Sequence, residues 1–449
     1  MNKLALVLAF VAAIATHAGV ARAEIGTADN VPAATLLLPY FEVDYRDANA
    51  AVTSFTINNA SATAVVAHVT LWTDEAIPTY NFDVYLTGYD VQQVNLNTLF
   101  ATGDLPITAD DIEDPSDTIS PQGSLSQDVN FPGATGPCGA PYSTPELTQA
   151  ELKHIRAAHT GKRSAILNGC AGAQYGDGVA RGYVTVDVVN SCSIVAPSDP
   201  AYFPTIATSQ NVLWGEYAVT SNVDNFETGG PLVHIEGCAG AGYTGYVGNG
   251  AGHCPFAPGD YTFYGRLNAF TATDQREPLS TLFATRYVLG GIFDGGTDLV
   301  VWRDTKLAPT GANGKHNCKK DPSWYPLGQT DVVAFDEQEN PADLCFLSDN
   351  FSPVIGGAQP CFPLATQRTS VGSGGGLGSP LDPPASFGWL FLNLSHTVAS
   401  GDLQPGVAQA WVESTQAANG RFAVGFEALQ LDNALSPAQG YSSGGILIP

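Results

Sequence analysis

Between residues 51 and 100 apolar and polar positions alternate with a period of two, and the clearest elements of the chain lie there. In Val52-Thr53-Ser54-Phe55-Thr56-Ile57-Asn58, the residues Thr53, Phe55 and Ile57 share one face while the other is mostly small and polar, which predicts a half-buried strand. Asn58-Asn59-Ala60-Ser61 follows as a turn cluster. Ala64 to Thr73 is the next strand, with Val65, Ala67, Val69 and Leu71 on one face. Phe82, Val84 and Leu86 alternate again, Thr87-Gly88-Tyr89-Asp90 breaks the run, and Val91 to Leu96 resumes it. Four short strands with closely spaced turns are the signature of an all-β sandwich.

From Gly103 the pattern lapses. It returns at Gly182-Tyr183-Val184-Thr185-Val186-Asp187-Val188-Val189, where Val184, Val186 and Val188 face one way. The span between, about 104–178, reads as an insertion. It carries one helix, expected to be capped by Thr144, to hold Pro145 in its first turn and to stop at Gly161. A break near Asp199-Pro200 precedes a second strand-rich block: Val212 to Val219, Leu232 to Ile235, Tyr261 to Leu267, Leu282 to Val288, Leu299 to Asp304 and Trp389 to Leu392. Val407 to Asp432 reads as a hairpin turning at Asn419-Gly420. The span 308–386, rich in proline and with a glycine tract from Gly372 to Ser379, reads as a long loop. The expected fold is therefore all-β, with two antiparallel β-sandwich domains. The first covers 24–200 with a short helical insertion, and the second covers 201–449 with a long loop at about 308–386.

Ala67-His68-Val69, with Phe82-Asp83-Val84-Tyr85-Leu86-Thr87-Gly88-Tyr89-Asp90-Val91, resembles a pattern seen in uncharacterised secreted bacterial proteins. The resemblance covers about the first hundred residues. It implies that the first sandwich is immunoglobulin-like and lies at the cell exterior. It brings no activity and no functional residues.

The N-terminus changes the compartment. Lys3 gives a basic start, Leu4 to Ile14 is apolar, and Ala21-Arg22-Ala23 precedes Glu24 as a small-residue cleavage site, so residues 1–23 are expected to be a secretory signal peptide. No later apolar run reaches the length of a membrane span. The formal net charge of the full chain is -25, and Lys3 and Arg22 are lost with the signal, so the mature chain is more acidic still. That balance argues against nucleic acid and anionic membranes as partners. All eight cysteines (Cys138, Cys170, Cys192, Cys238, Cys254, Cys318, Cys345, Cys361) follow the signal and read as four disulfides, with Cys138–Cys170 and Cys238–Cys254 as the expected loop staples.

Candidate chemistry is sparse. Tyr243 and Tyr246 sit in the glycine-rich stretch Gly237 to His253, where aromatics would present contact area to an extracellular protein or a glycan. Asp294 and Asp298 flank a glycine turn and are candidate calcium ligands, with tight-turn geometry as the plainer account of them. The acidic run Asp110, Asp111, Glu113, Asp114 and Asp117 is a second candidate but lacks the spacing of a calcium loop. His68, alone in a strand, reads as a structural histidine. His154 and His159 are five apart and so on different faces of their helix. Glu42 and Asp44 alternate onto one strand face as candidate paired carboxylates. Gly440-Tyr441-Ser442-Ser443-Gly444 has the letters of a nucleophile elbow but no histidine after it. The resulting expectation is a secreted, acidic binding or structural protein of the exterior or cell surface. The alternative is a secreted hydrolase acting on polysaccharide.

Overall fold

Thr35–Val43 is apolar almost without interruption, and such a strand is stable only where both its faces are covered. A computed structural model of the protein makes it β1, inside a sheet that is covered on both sides. The structure describes residues 30–106, 146–238, 274–304, 331–345, 361–372, 381–394, 409–418 and 422–431, with short pieces at 256, 262–267, 315–319, 322, 325 and 327.

In chain order the elements are β1 (Thr35–Val43), β2 (Val52–Asn59), β3 (Val65–Thr73), β4 (Pro78–Leu86), β5 (Val91–Asn95), α1 (Leu96–Ala101), α2 (Gln149–His159), β6 (Ala180–Val189), α3 (Tyr202–Thr205), β7 (Leu213–Trp214), β8 (Glu216–Ser221), β9 (Phe226–Pro231) and β10 (Val233–Ile235). The second half continues with β11 (Leu282–Val288), β12 (Gly296–Arg303), β13 (Asp331–Phe335), β14 (Pro341–Cys345), β15 (Thr366–Val371), β16 (Phe387–Asn393), β17 (Ala410–Ala418), β18 (Phe422–Glu427) and β19 (Leu429–Gln430).

The pairings are antiparallel and give four sheets. Sheet one is β5-β2-β8-β9 with β7 also on β2. Sheet two is β10-β1-β6-β3-β4, sheet three β15-β12-β17-β18, and sheet four β14-β13-β16-β11-β19. The fold is thus all-β and sandwich-like. Sheets one and two enclose one core, with Phe55, Ile57 and Val94 facing Leu36, Val69, Val84, Val184 and Val186. α1 and α2 close it through Leu99, Phe100, Leu152 and Ile155. The opposite face of sheet two does not meet water. Leu37, Trp72, Tyr85 and Tyr183 join Phe263, Trp302, Leu390 and Val412 in a second core that runs through sheets three and four. A bulge in β1 between Leu38 and Phe41, at Pro39, adjusts the alternation. Leu36 and Leu38 before it and Phe41 and Val43 after it all enter the first core, so Glu42 is turned toward sheet three.

Several expectations need correction. The break near 200 does not separate the sheets, because β8 and β9 extend sheet one and β10 extends sheet two. The long loop expected at 308–386 contains β13, β14 and β15: β13 and β14 form a hairpin that joins β16, and β15 pairs with β12, which precedes the span. Residues 262–267 form turns rather than a strand. The helix begins later than expected: Thr148 is its cap, in a capping box with Glu151, whereas Thr144 and Pro145 lie outside the described residues. Cys170 does not pair with Cys138. It is bonded to Cys318, because residues 315–319 dock beside it, with Cys170 N–H donating to His316 O at 3.0 Å and His316 N–H donating back at 2.9 Å. Cys192, Cys238 and Cys361 are disulfide-bonded too. Cys138 and Cys254 lie outside the described residues, so the Cys238–Cys254 pairing does as well. Among the described residues no helix is long and apolar enough to cross a membrane.

Candidate functional site at the seam of the sheets

Polar groups on a face buried by a second sheet must find partners there. Asp187, fully buried in β6, accepts hydrogen bonds from Thr35 Oγ1 at 2.5 Å, Tyr202 at 2.8 Å and Tyr264 at 3.0 Å. Arg276 Nε lies 3.2 Å from the same carboxylate, and its Nη2 donates to Thr208 O. Burial and the adjacent Asp187 charge push both tyrosines well above the ordinary phenol range, which keeps them as donors. Next to them His68 Nδ1 sits 2.6 Å from Asp83 Oδ1, and Asp83 Oδ2 accepts the Ser193 N–H. His68, expected to stand alone in its strand, thus has a carboxylate partner on the neighbouring strand.

At one end of this face the two halves leave a narrow pocket open to solvent. Two stacked aromatic pairs contribute to its walls: Trp72 with Tyr183, centroids 5.7 Å apart, and Phe263 with Trp302, 5.5 Å apart. Trp302 also meets Tyr183 edge-on at 6.0 Å. The polar lining is short: Thr185, the Arg266–Asp304 ion pair at 2.9 Å, and Arg303. Burial, with Arg266 alongside, lowers Arg303 to about 9. Aromatic walls with a few convergent polar groups at a seam between layers are the usual make-up of a small-ligand site.

At the other end the seam is charged. Arg368 of β15 donates from Nε to Asp298 Oδ2 at 2.9 Å and from Nη1 to Glu42 Oε1 at 2.7 Å, and its guanidinium lies 5.0 Å from the Phe226 ring centroid. One arginine so joins sheet three to β1 of sheet two and to β9 of sheet one. Beside it on the same face of sheet three, Glu413 is 8 % exposed. Its Oε1 accepts the Trp411 indole N–H at 3.0 Å, and its Oε2 accepts the Tyr217 hydroxyl from sheet one. Glu427 stands directly across on β18. Burial, reinforced by Glu427, outweighs the two hydrogen bonds and raises Glu413 to about 7.

Asp298 is engaged by Arg368 on one oxygen and by Ser370 at 2.6 Å on the other, while Asp294 lies exposed in the preceding turn, so a cation at this pair would have to displace Arg368. Among the described residues no group of three or more His, Cys, Asp or Glu side chains is placed to hold a metal. The acidic run 110–117, Tyr243 and Tyr246 lie outside the described residues. Glu42 belongs to the seam, but Asp44 does not accompany it: Asp44 closes a turn with Arg46 at 2.7 Å. His154 bonds Ser164 and His159 bonds Arg181 O, as separate structural contacts. Trp72, Trp302, Arg266, Asp304, Arg368 and Glu413 were not singled out, since each gains its meaning from strands distant in sequence. Comparison of the chain with protein-family models, with curated proteins and with solved structures returns no match, so the resemblance of the first hundred residues leads to no family assignment.

Proposed function

We propose that this is an exported binding protein, with an immunoglobulin-like first sandwich, that takes the end of a neutral glycan between its aromatic walls. The observation that carries the reading is the pocket bounded by the Trp72–Tyr183 and Phe263–Trp302 stacks, with Arg266 and Asp304 as donor and acceptor. A sugar ring offers one apolar face and a rim of hydroxyls, which suits such a lining. The acidic chain disfavours polyanionic ligands. The test is tryptophan fluorescence titrated with a panel of neutral oligosaccharides. Saturable change in the wild type, lost in Asp304→Asn and without release of reducing ends, supports the reading. Release of reducing ends would replace it with the polysaccharide hydrolase. No response across the panel would refute the glycan as ligand.

A further inference from the structure

Tyr217 belongs to β8 of sheet one and Glu413 to β17 of sheet three, so their hydrogen bond ties the outer layer of the first half to the second half. Few other groups face this carboxyl. From its own strand there is Trp411, from β18 the carboxyl of Glu427, and from β12 the uncharged Val300. From β15 comes Arg368, whose charge is already shared by Glu42 and Asp298. Among the described residues, the arginine of this cluster thus faces two other carboxylates, and Glu413 has a second acid opposite it.

We propose that Glu413 is a proton-operated latch across this seam: neutral, it lies dry beneath Tyr217 and the layers stay closed, and ionised, the cost of its burial outweighs the strengthened Tyr217 bond, so water enters the seam and the layers loosen. The geometry requires this because an anion at that depth, opposite Glu427, is not compensated by the two neutral donors alone. The direction of the Glu413 shift agrees, and sets the change near pH 7. The latch is independent of what the aromatic pocket binds. Trp302 of the pocket pairs directly across strands with Trp411, however, so the two sites adjoin.

Trp411 donates to Glu413 and is the natural reporter. The experiment follows tryptophan emission of the intact protein from pH 5 to 9, with hydrogen exchange of the β8 and β17 amides. The wild type should show a transition centred at about 7, with exchange rising above it, and Glu413→Gln should abolish both. Tyr217→Phe removes a donor that favours the ionised form and should raise the midpoint by about one pH unit. Glu427→Gln removes the like charge and should lower it. A transition that survives in Glu413→Gln would overturn the proposal. So would midpoints that do not move in opposite directions in Tyr217→Phe and Glu427→Gln, a comparison that holds even if Glu413→Gln fails to fold.

Discussion

Replacing Arg276 by methionine is expected to destabilise the protein by about 3 kcal/mol, the lower end of what breaking a buried ion pair costs. The surroundings set the figure. The Arg276 side chain is 2 % exposed and lies against Asp187 at 3.2 Å and Asp274 at 3.5 Å. Its loss leaves two buried carboxylates, yet neither is stranded. Asp187 keeps the hydroxyls of Thr35, Tyr202 and Tyr264. Asp274 keeps the backbone N–H of Tyr264 and that of residue 276. Methionine fills most of the vacated volume, so only a small cavity penalty is added. Asp187→Asn should be costly by itself, and the double variant should be less damaging than the sum of the two by about 1–3 kcal/mol, because the groups are in direct contact. Urea unfolding followed by far-UV circular dichroism and by tryptophan fluorescence gives the numbers, provided the two probes superimpose. A loss under about 1 kcal/mol for Arg276→Met, or additivity within about 0.5 kcal/mol in the cycle, would show that this pair does not hold the 274–280 segment onto sheet two.

Cys318→Ser should lower stability by about 2–4 kcal/mol in the same assay, since the Cys170–Cys318 bond closes a loop spanning a sequence separation of 148; no change would mean that the 315–319 segment holds its place by its other contacts. His159 is buried between Phe41 and Phe100, donates Nδ1–H to Arg181 O and accepts from Thr79, and burial lowers it to about 3. Between roughly pH 6.5 and that value the unfolded chain binds a proton that the folded protein refuses, so stability falls as pH falls through this window. Glu413 has the opposite slope: raised to about 7 from 4.5, it makes stability fall as pH rises between those values. The two offset each other in the wild type. Unfolding free energy against pH should therefore become steeper in Glu413→Gln, rising from pH 4.5 to 6.5, and a curve no steeper than that of the wild type would contradict the pairing of slopes.

Strands with a clear period of two are legible in the sequence, whether their second face is wet as in β2 or buried as in β3 and β6. In β2, Phe55 and Ile57 alternate with half-exposed residues, and its limits were close to right. The helix was legible too, although the Thr148 and Glu151 spacing marks its start better than the proline before it. Three strands between 308 and 386 were not legible. β13 and β14 are five-residue strands that pair as a hairpin and join sheet four through β16, while β15 is held by β12, some sixty residues earlier in the chain. The pocket has the same origin. Trp72 and Tyr183 come from sheet two, Trp302 from sheet three and Phe263 from a turn, so no local spacing signals that they converge.

In Val184-Thr185-Val186-Asp187-Val188 the valines were read as the core face, correctly, and a polar opposite face ordinarily means water. Here that face is buried as deeply as the other. Thr185 accepts the Trp72 indole N–H at 2.9 Å, and Asp187 gathers Thr35, Tyr202, Tyr264 and Arg276. A carboxylate in the middle of such a face is tolerable only where several donors are delivered to one point. Those donors lie on β1, on α3, in the turn at 262–267 and in the segment leading to β11, so satisfying Asp187 requires the second half to dock in a single register. The same residues that look like a solvent face in sequence thus specify how the two halves meet, through hydrogen bonds whose partners only the folded chain brings together.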